Sequence, residues 1–142
     1  MISSCHEFAI KTNGYSQTLD ITAQVQGIVD EQGLGEGLAT VFVPGATASV
    51  TTIEFEPGAV ADLGECVEAI APSDRDYKHD ARWGDGNGFA HLRAALLGPS
   101  LCVPVSQARL CLGTWQQIVL MDHDNRHRQR RVLVQVMGKA KP

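Results

Sequence analysis

Residues 38–56 read LATVFVPGATASVTTIEFE and decide the class of the fold. Two runs rich in β-branched residues, LATVFVP and SVTTIEFE, are separated by Pro44-Gly45, a dipeptide that favours a turn. We therefore expect two β-strands here. Side chains of the second strand alternate between two faces, which places Glu54 near the strand end on the more polar face.

A helical repeat of apolar residues lies on each side of these strands. The first helix begins after Asp20, a suitable N-cap, and ends at Gly33, whereas the second begins at Pro57. Gly64 inside the second helix costs roughly 1 kcal/mol against alanine, so we expect a close packing contact there. The apolar stripes are Ile21, Val25, Ile28 and Val29 in the first helix and Val60, Leu63, Val67 and Ile70 in the second.

Turn signals divide the rest of the chain. Asn13-Gly14 between short apolar runs predicts an N-terminal β-hairpin, and the glycines of residues 33–37 predict a turn. A third helix follows the polar loop 72–88, with Phe89, Leu92 and Leu96 on its buried face. Further strands are expected at residues 101–105, 110–121 and 131–137, and the charged residues 122–130 are expected to form an exposed loop.

About seven strands and three helices, without regular βαβ alternation, argue for an α+β domain with a mainly antiparallel sheet or flattened barrel. The 142 residues fit one domain, 1–142. The composition is that of a soluble globular protein, and no apolar run approaches the roughly 20 residues that span a membrane. The first residues contain no basic segment followed by an apolar one, so we expect a cytoplasmic location and no membrane partner.

Charge is divided unevenly along the chain. Residues 1–71 contain ten acidic residues and one basic residue, whereas residues 72–142 contain eleven basic and six acidic residues. This division either serves pairing between subunits, attracts an anionic ligand, or cancels within one domain. No continuous basic face with interleaved aromatics is present, so we expect no nucleic-acid partner.

The cysteines contain no C-x-x-C pair, which argues against a zinc knuckle or a thioredoxin-type redox motif. In a cytoplasmic chain we expect free, mostly buried thiols at all four positions. They are Cys5, Cys66, Cys102 and Cys111.

The stretch from Tyr77 to Gln117 concentrates the residues that carry chemistry. It opens with YKHDARWGDGNGFAHL, in which His79 and His91 lie twelve residues apart across a glycine-rich loop. The two histidines are either metal ligands brought together by folding or hydrogen-bonded structural residues. Glu54 is either a third ligand or proton acceptor, or a solvated acid at a strand end.

An anion site is predicted in the same loop. Asn87-Gly88 precede a helix whose free N–H groups suit a phosphate, and Arg82 lies nearby. A surface salt bridge is the alternative for Arg82 and the favoured interpretation for Arg93. Trp83 and Trp115 either close the pocket or belong to a core or interface.

His123 and His127 have a spacing that would suit a metal pair on a helix. Asp124-Asn125 between them favours a turn instead. We therefore expect both histidines in a solvated loop.

The segments YKHD, GNGFAHL, LLGPSLCVPV and LGTWQQI resemble the YjbQ-like family, which is named for a secondary thiamine-phosphate synthase activity. The resemblance covers most of the chain and implies a sandwich-like pseudobarrel capped by helices, a homotrimer, and a polar pocket near subunit boundaries. It assigns His91 and Glu54 as catalytic and His79 and His91 as ligands of a divalent ion, with zinc expected first. The expected ligand-binding residues are Arg82, Asn87, Ser100, Thr114, Trp115 and Gln116.

One position departs from the family pattern. Many members read H-T-[ST]-A where this chain reads GATA, so Gly45 stands in place of a histidine. We expect weaker metal binding than in a member with the full set, and a higher zinc affinity in Gly45→His.

Two functions remain open. The first is an enzyme that acts on a phosphorylated small molecule, with a thiamine-phosphate synthase-like transferase activity as one instance. The alternative is a non-catalytic trimeric binding protein for a small anionic ligand. Turnover distinguishes them.

Overall fold

The computed structural model describes residues 1–142 as an α+β fold of eight strands and four helices, which confirms the predicted class. The strands form two antiparallel sheets, ordered β1-β8-β3-β5-β6 and β2-β7-β4, that together make a half-barrel. The elements are β1 (Ile2–Thr12), β2 (Gln17–Asp20), α1 (Thr22–Glu31), β3 (Leu34–Phe42), β4 (Ala48–Glu54), α2 (Pro57–Ile70), α3 (Lys78–Trp83), α4 (Gly88–Leu97), β5 (Ser100–Ser106), β6 (Arg109–Leu110), β7 (Gln116–Asp122) and β8 (Arg128–Ala140).

The main core lies between the sheets and α1. As predicted, the α1 stripe is buried. The N-cap position is Ile21 and not the predicted Asp20, although the Asp20 carboxylate, one residue earlier, accepts a hydrogen bond of 3.0 Å from the Thr22 N–H. Each Val or Ile side chain buried in this core contributes roughly 1.5–3 kcal/mol. The core cluster is completed by residues of both sheets, including Leu34, Val41, Val50, Ile118, Leu120, Val132, Val134 and Val136.

The predicted N-terminal hairpin is wrong. β1 pairs with β8 over eleven residues, from Ile2↔Gly138 to Thr12↔Arg128, whereas β2 pairs with β7 in the other sheet. The turn at Asn13-Gly14 exists, but it carries the chain from one sheet to the other. β8 pairs with every residue of β1, whereas β2 has only four residues to offer, so pairing with β8 is favoured. This partner strand lies more than a hundred residues away in the chain.

Residues 33–37 were predicted to form a glycine-rich turn, but most of them lie in a strand. β3 begins at Leu34, and Gly37 faces Gly138 across the β3–β8 pair. A Cβ atom on either glycine would lie 2.0 Å from a backbone carbonyl oxygen of the other strand. The two glycines therefore allow a close approach of two backbones.

A second predicted strand is also divided between the two sheets. Residues 110–121 were expected to form one strand, but β6 ends at Leu110 and β7 begins at Gln116. The Gln116 N–H donates to the Gly113 carbonyl at 3.0 Å and closes the intervening turn. β6 belongs to the five-stranded sheet and β7 to the three-stranded sheet.

The outer helices bury less than their apolar patterns predict. In α2 only Val67 is buried, and a Cβ atom on Gly64 would meet nothing within 4 Å, so the expected close contact there is absent. In α4, Leu92 and Leu96 are exposed. The buried residues of α4 are Gly88, Phe89, Ala90, Arg93 and Ala94.

The thiols are free, as predicted, but all four are exposed, and the expectation of burial is wrong. No helix in the structure is both long enough and apolar enough to cross a membrane.

Candidate functional site: a histidine pair at the start of α4

Folding brings His79 and His91 together. His79 lies in α3 and His91 in α4, and their ring centroids are 4.4 Å apart with the planes tilted by 48°. The short helix α3 ends at Gly84, whose left-handed backbone (φ 67°) lets its N–H donate to the Asp80 carbonyl at 2.7 Å. The chain can therefore turn back within four residues and start α4 beside α3.

Hydrogen bonds fix the tautomer of both rings. The Nδ1 atom of His79 lies 3.3 Å from carboxylate oxygens of Asp80 and Asp85, and that of His91 lies 3.2 Å from the Ala46 carbonyl oxygen. Ionised carboxylates and carbonyls only accept, so each neutral ring carries its proton on Nδ1. The Nε2 atom of each ring is left with a lone pair.

The first amides of α4 are already occupied. The Gly88 N–H donates to the Asp80 carboxylate at 2.8 Å, and the Asn87 N–H donates to the Asp85 carboxylate at 3.2 Å. The predicted anion site on free amides at Asn87-Gly88 is therefore wrong. The same two carboxylates therefore contact His79 and the start of the helix that carries His91, where negative charge is favourable.

Asn87 is a structural residue and not a surface for ligands. It is buried, and its side-chain oxygen accepts a 3.1 Å hydrogen bond from the Asn125 N–H. The Asn125 side chain in turn donates to the Asp85 carbonyl at 2.7 Å. The segment after β7 thus holds the loop that positions His91.

That segment was predicted as an exposed charged loop, and for its first residues this is wrong. Asp122, His123 and Asp124 are fully buried. Arg130 donates to both carboxylate oxygens of Asp122, at 2.6 and 2.8 Å, and to Thr47 at 2.7 Å. Burial opposes ionisation, but the hydrogen bond from Arg130 overcomes it and holds the pKa of Asp122 below its usual value.

His123 links the three strands of the smaller sheet, because it follows β7 and contacts the turn before β2 and a residue of β4. Its Nδ1 lies 2.6 Å from the Ser16 hydroxyl and its Nε2 lies 2.9 Å from the Ser49 hydroxyl. Burial, together with the positive charge of Arg93, lowers the pKa of His123 to about 4, so the ring is neutral at neutral pH. Only His127 lies on the exposed loop as predicted.

Arg93 is neither a ligand contact nor a surface ion pair. The guanidinium is buried between α4 and α2, where it donates to the Ala71 carbonyl at 3.0 Å, to Ser16 at 2.9 Å and to the Glu68 carboxylate. It fixes the outer helices to the turn that precedes β2.

Two cavities meet at His91. One of about 350 Å³ is lined by Arg75, Lys78 and both histidines of the pair. The other, of about 250 Å³, is lined by His91 and by Gly45, so the position that departs from the family pattern does lie beside the pair.

Positive charge at this site comes from Arg75 and Lys78, which were not among the predicted site residues. Arg75 and Lys78 line the larger cavity, whereas the guanidinium of Arg82 lies 5.4 Å from the ring of Trp83 on an exposed part of α3. Lys78 directly precedes His79 in the motif, and Arg75 lies two residues before the motif begins. Asp80 and Asp85 likewise lie within the stretch from Tyr77 to Gln117.

The remaining predicted site residues lie elsewhere in the chain's structure. His91 contacts Ala46, just before the first residue of β4, whereas Glu54 is the last residue of that strand and pairs with Gln116. Six residue steps of a strand span about 20 Å. Within one chain, Glu54 therefore does not reach His91, and the two residues do not form a site in a single subunit.

The T-W-Q residues lie near Glu54, which pairs with Gln116. Ser100 and Gln116 line a groove of about 310 Å³ between β4 and β5. The Gln116 side chain accepts from the Gly113 N–H and donates to the Thr52 hydroxyl, both at 3.0 Å. Thr114 and Trp115 are exposed in the turn before β7, and 71% of the Trp115 surface is accessible.

Comparison with known proteins gives one consistent result. Residues 6–139 match the family described as "UPF0047 protein YjbQ-like". A UPF0047 protein of Archaeoglobus fulgidus is 39% identical over 92% of this chain and 99% of its own length, and the UPF0047 protein YugU of Bacillus subtilis is 32% identical over 91% and 96%. Among solved structures, a hypothetical protein from Aeropyrum pernix K1 superposes with a TM-score of 0.89 at 34% identity, covering 96% of this chain and 99% of that one.

Proposed function

The chain belongs to the UPF0047 YjbQ-like family, and from that premise we propose that it is an enzyme acting on a phosphorylated small molecule at the His79–His91 pair. One observation carries the proposal. Both rings have Nδ1 beside an acceptor, at 3.2–3.3 Å, their centroids are 4.4 Å apart, and the Nε2 atom of each neutral ring keeps its lone pair.

This donor set fits a divalent metal ion, zinc first. Protein ligands of zinc are commonly neutral imidazoles whose second nitrogen donates to a carboxylate or a carbonyl, which is the arrangement of both histidines here. His79 and His91 would hold the ion. A bound zinc ion acts as a Lewis acid toward a phosphoryl oxygen or lowers the pKa of a bound water.

The surroundings favour an anionic substrate. Arg75 and Lys78 line the larger cavity, and its volume of about 350 Å³ suits a small molecule. His91 faces both cavities, so we assign it the contact with the reacting group. Where no ion is bound, its Nε2 lone pair is a proton acceptor.

Zinc calorimetry tests the metal. We expect one ion per chain in the unaltered protein, and a loss of affinity of at least about tenfold in His79→Ala and in His91→Ala. His127→Ala, which removes an exposed histidine outside the site, is the matched control and should bind as before. Absence of zinc binding by the unaltered protein would remove the metal from the proposal.

Turnover tests the enzyme. Because the family resemblance includes a secondary thiamine-phosphate synthase activity, formation of thiamine phosphate is the first reaction to assay, and His91→Ala should abolish it. A protein that binds phosphorylated ligands without turning any over would instead be the non-catalytic binding protein.

A further inference from the structure

The groove between β4 and β5 carries two of the four thiols. Cys102 lies in β5 and Cys111 directly follows β6, and both side chains line the same cavity of about 310 Å³. Both are exposed and neither is in a disulfide. This groove is distinct from the cavities at His91.

The strand register places the two thiols on one face. The Cys111 N–H donates to the Pro104 carbonyl at 2.8 Å, which extends the β5–β6 ladder one step beyond Val105↔Leu110. Cys111 is therefore opposite Pro104, and Cys102 lies two residues from Pro104 on the same outer face. The two cysteines form a diagonal pair across the ladder.

Diagonal spacing suits a bridging ion better than a disulfide. Diagonal residues of an antiparallel ladder are about 7–8 Å apart between Cα atoms, beyond the roughly 7 Å limit for a disulfide. Two sulfurs that share one metal ion, each at about 2.3 Å, are themselves up to about 4.6 Å apart. In the structure the Cys102 sulfur lies 3.5 Å from the Thr40 hydroxyl on β3, and the Cys111 sulfur lies 3.9 Å from the Arg109 carbonyl oxygen. Both side chains therefore have to rotate about χ1 to share an ion, while the backbone stays in place.

The lining of the groove selects the kind of ion. No Lys, Arg, His, Asp or Glu lines it, and its other polar groups are the uncharged side chains of Thr51, Thr52, Ser100 and Gln116. Zinc prefers four strong N, O or S ligands, whereas soft thiolates favour Cu(I). The Thr40 hydroxyl lies 3.5 Å from the Cys102 sulfur and can donate to its thiolate.

We propose that Cys102 and Cys111 form a two-thiolate site for a soft monovalent ion, with Cu(I) as its representative. Binding deprotonates both thiols, so up to two protons are released per ion. The site is independent of the histidine pair and of the function proposed for it.

Competition for Cu(I) tests the proposal. The reduced full-length protein is titrated without oxygen against a chromogenic Cu(I) chelator, and one ion per chain is expected. Cys102→Ser and Cys111→Ser should each weaken binding by at least tenfold, whereas Cys5→Ser and Cys66→Ser, which alter exposed cysteines elsewhere, should not. Thermal melts of all four variants verify that each is folded.

Two results would overturn the site. One is Cu(I) affinity that is the same in Cys102→Ser and Cys111→Ser as in the unaltered protein. The other is a Cys102–Cys111 disulfide, found by peptide mass spectrometry after mild treatment with oxidised glutathione, because its formation would contradict the spacing on which the ion site depends.

Discussion

A single buried imidazole makes the protein sensitive to acid. The pKa of His123 is lowered to about 4 in the folded chain, chiefly by burial, against an unfolded value near 6.5. Between these pH values the unfolded chain binds a proton that the folded chain does not. The free energy of unfolding should therefore fall as pH falls from about 6.5 to 4, by up to about 3 kcal/mol.

Urea denaturation at several pH values between 7.5 and 4.5 measures this slope. His127→Ala, with an exposed histidine removed, should keep it. His123→Phe should flatten it, while losing about 1–3 kcal/mol at neutral pH because Ser16 and Ser49 each lose a hydrogen-bond partner. An unchanged slope in His123→Phe would assign the acid sensitivity to another group.

Gly45 combines a functional and a conformational constraint. It lies beside His91, but its backbone has φ +127°, and a Cβ atom there would lie 3.1 Å from a guanidinium nitrogen of Arg130. We therefore expect Gly45→His to raise zinc affinity and also to lower stability by about 1–3 kcal/mol.

Calorimetry and thermal melts on Gly45→His and Gly45→Ala separate these effects. The alanine variant introduces the same backbone strain without an imidazole, so it should lose stability and gain no affinity. Equal zinc affinity in the two variants would show that position 45 does not face the ion.

At the residue scale, the sequence identified His79 and His91 as a pair but not the side chains that contact them. The motif around His79 and His91 predicted that folding brings the two together. The pairing of His123 with Ser16 and Ser49 was not predictable, because a buried and an exposed histidine look alike in a charged segment. Burial there depends on β2 and β4, the strands that flank β7 in the smaller sheet and that lie far away in the sequence.

At the element scale, two kinds of glycine behave in opposite ways. Gly138 lies in β8 with Gly37 so close that a Cβ atom would meet a carbonyl oxygen, whereas Gly64 lies in α2 with open space around it. Gly138→Ala should destabilise the protein by at least about 2 kcal/mol. Gly64→Ala should stabilise it by roughly 0.5–1 kcal/mol, because it removes backbone freedom from the unfolded chain.

Chemical denaturation of both variants measures the difference. If Gly64→Ala destabilised the protein, a neighbour such as another subunit would have to occupy the space beside α2. If Gly138→Ala left the free energy of unfolding unchanged, β3 and β8 would have to move apart at this point without a loss of stability.

Elements with a local signal were predicted well, and their pairing was not. The 3.6-residue stripe of α1 and the β-branched runs of β3 and β4 are properties of consecutive residues. The division of β1 from β2, and of β6 from β7, depends on partner strands far along the chain. The separation of Glu54 from His91 within one chain was not predicted either, since only the length of β4 shows it.

At the scale of the whole molecule, part of the uneven charge distribution is paired within one chain. β1 from the acidic half pairs with β8 from the basic half, and Arg131 donates to Glu7 at 2.7 Å across that pair. Lys141 likewise lies 3.9 Å from Asp30. The charge division therefore gives no support to assembly.

We expect the interface of the predicted homotrimer on the outer face of the five-stranded sheet. Leu38, Phe42 and Met137 are exposed there, with Leu38 directly between Met137 and Pro104 in the strand register. Adjacent exposed apolar side chains on a regular sheet are a typical protein interface. We expect light scattering to give a mass of three times 15.3 kDa.

Leu38→Lys tests whether this face forms the assembly, because a lysine in the centre of an apolar contact places an unpaired charge between subunits. It should shift the protein to a monomer. Leu96→Lys is the matched control, since Leu96 is 68% exposed on α4, away from the sheet face, and this variant should remain a trimer. A concentration-independent mass of 15.3 kDa for the unaltered protein would contradict the trimer. If only Leu96→Lys dissociated, the interface would lie on the helices and not on the sheet.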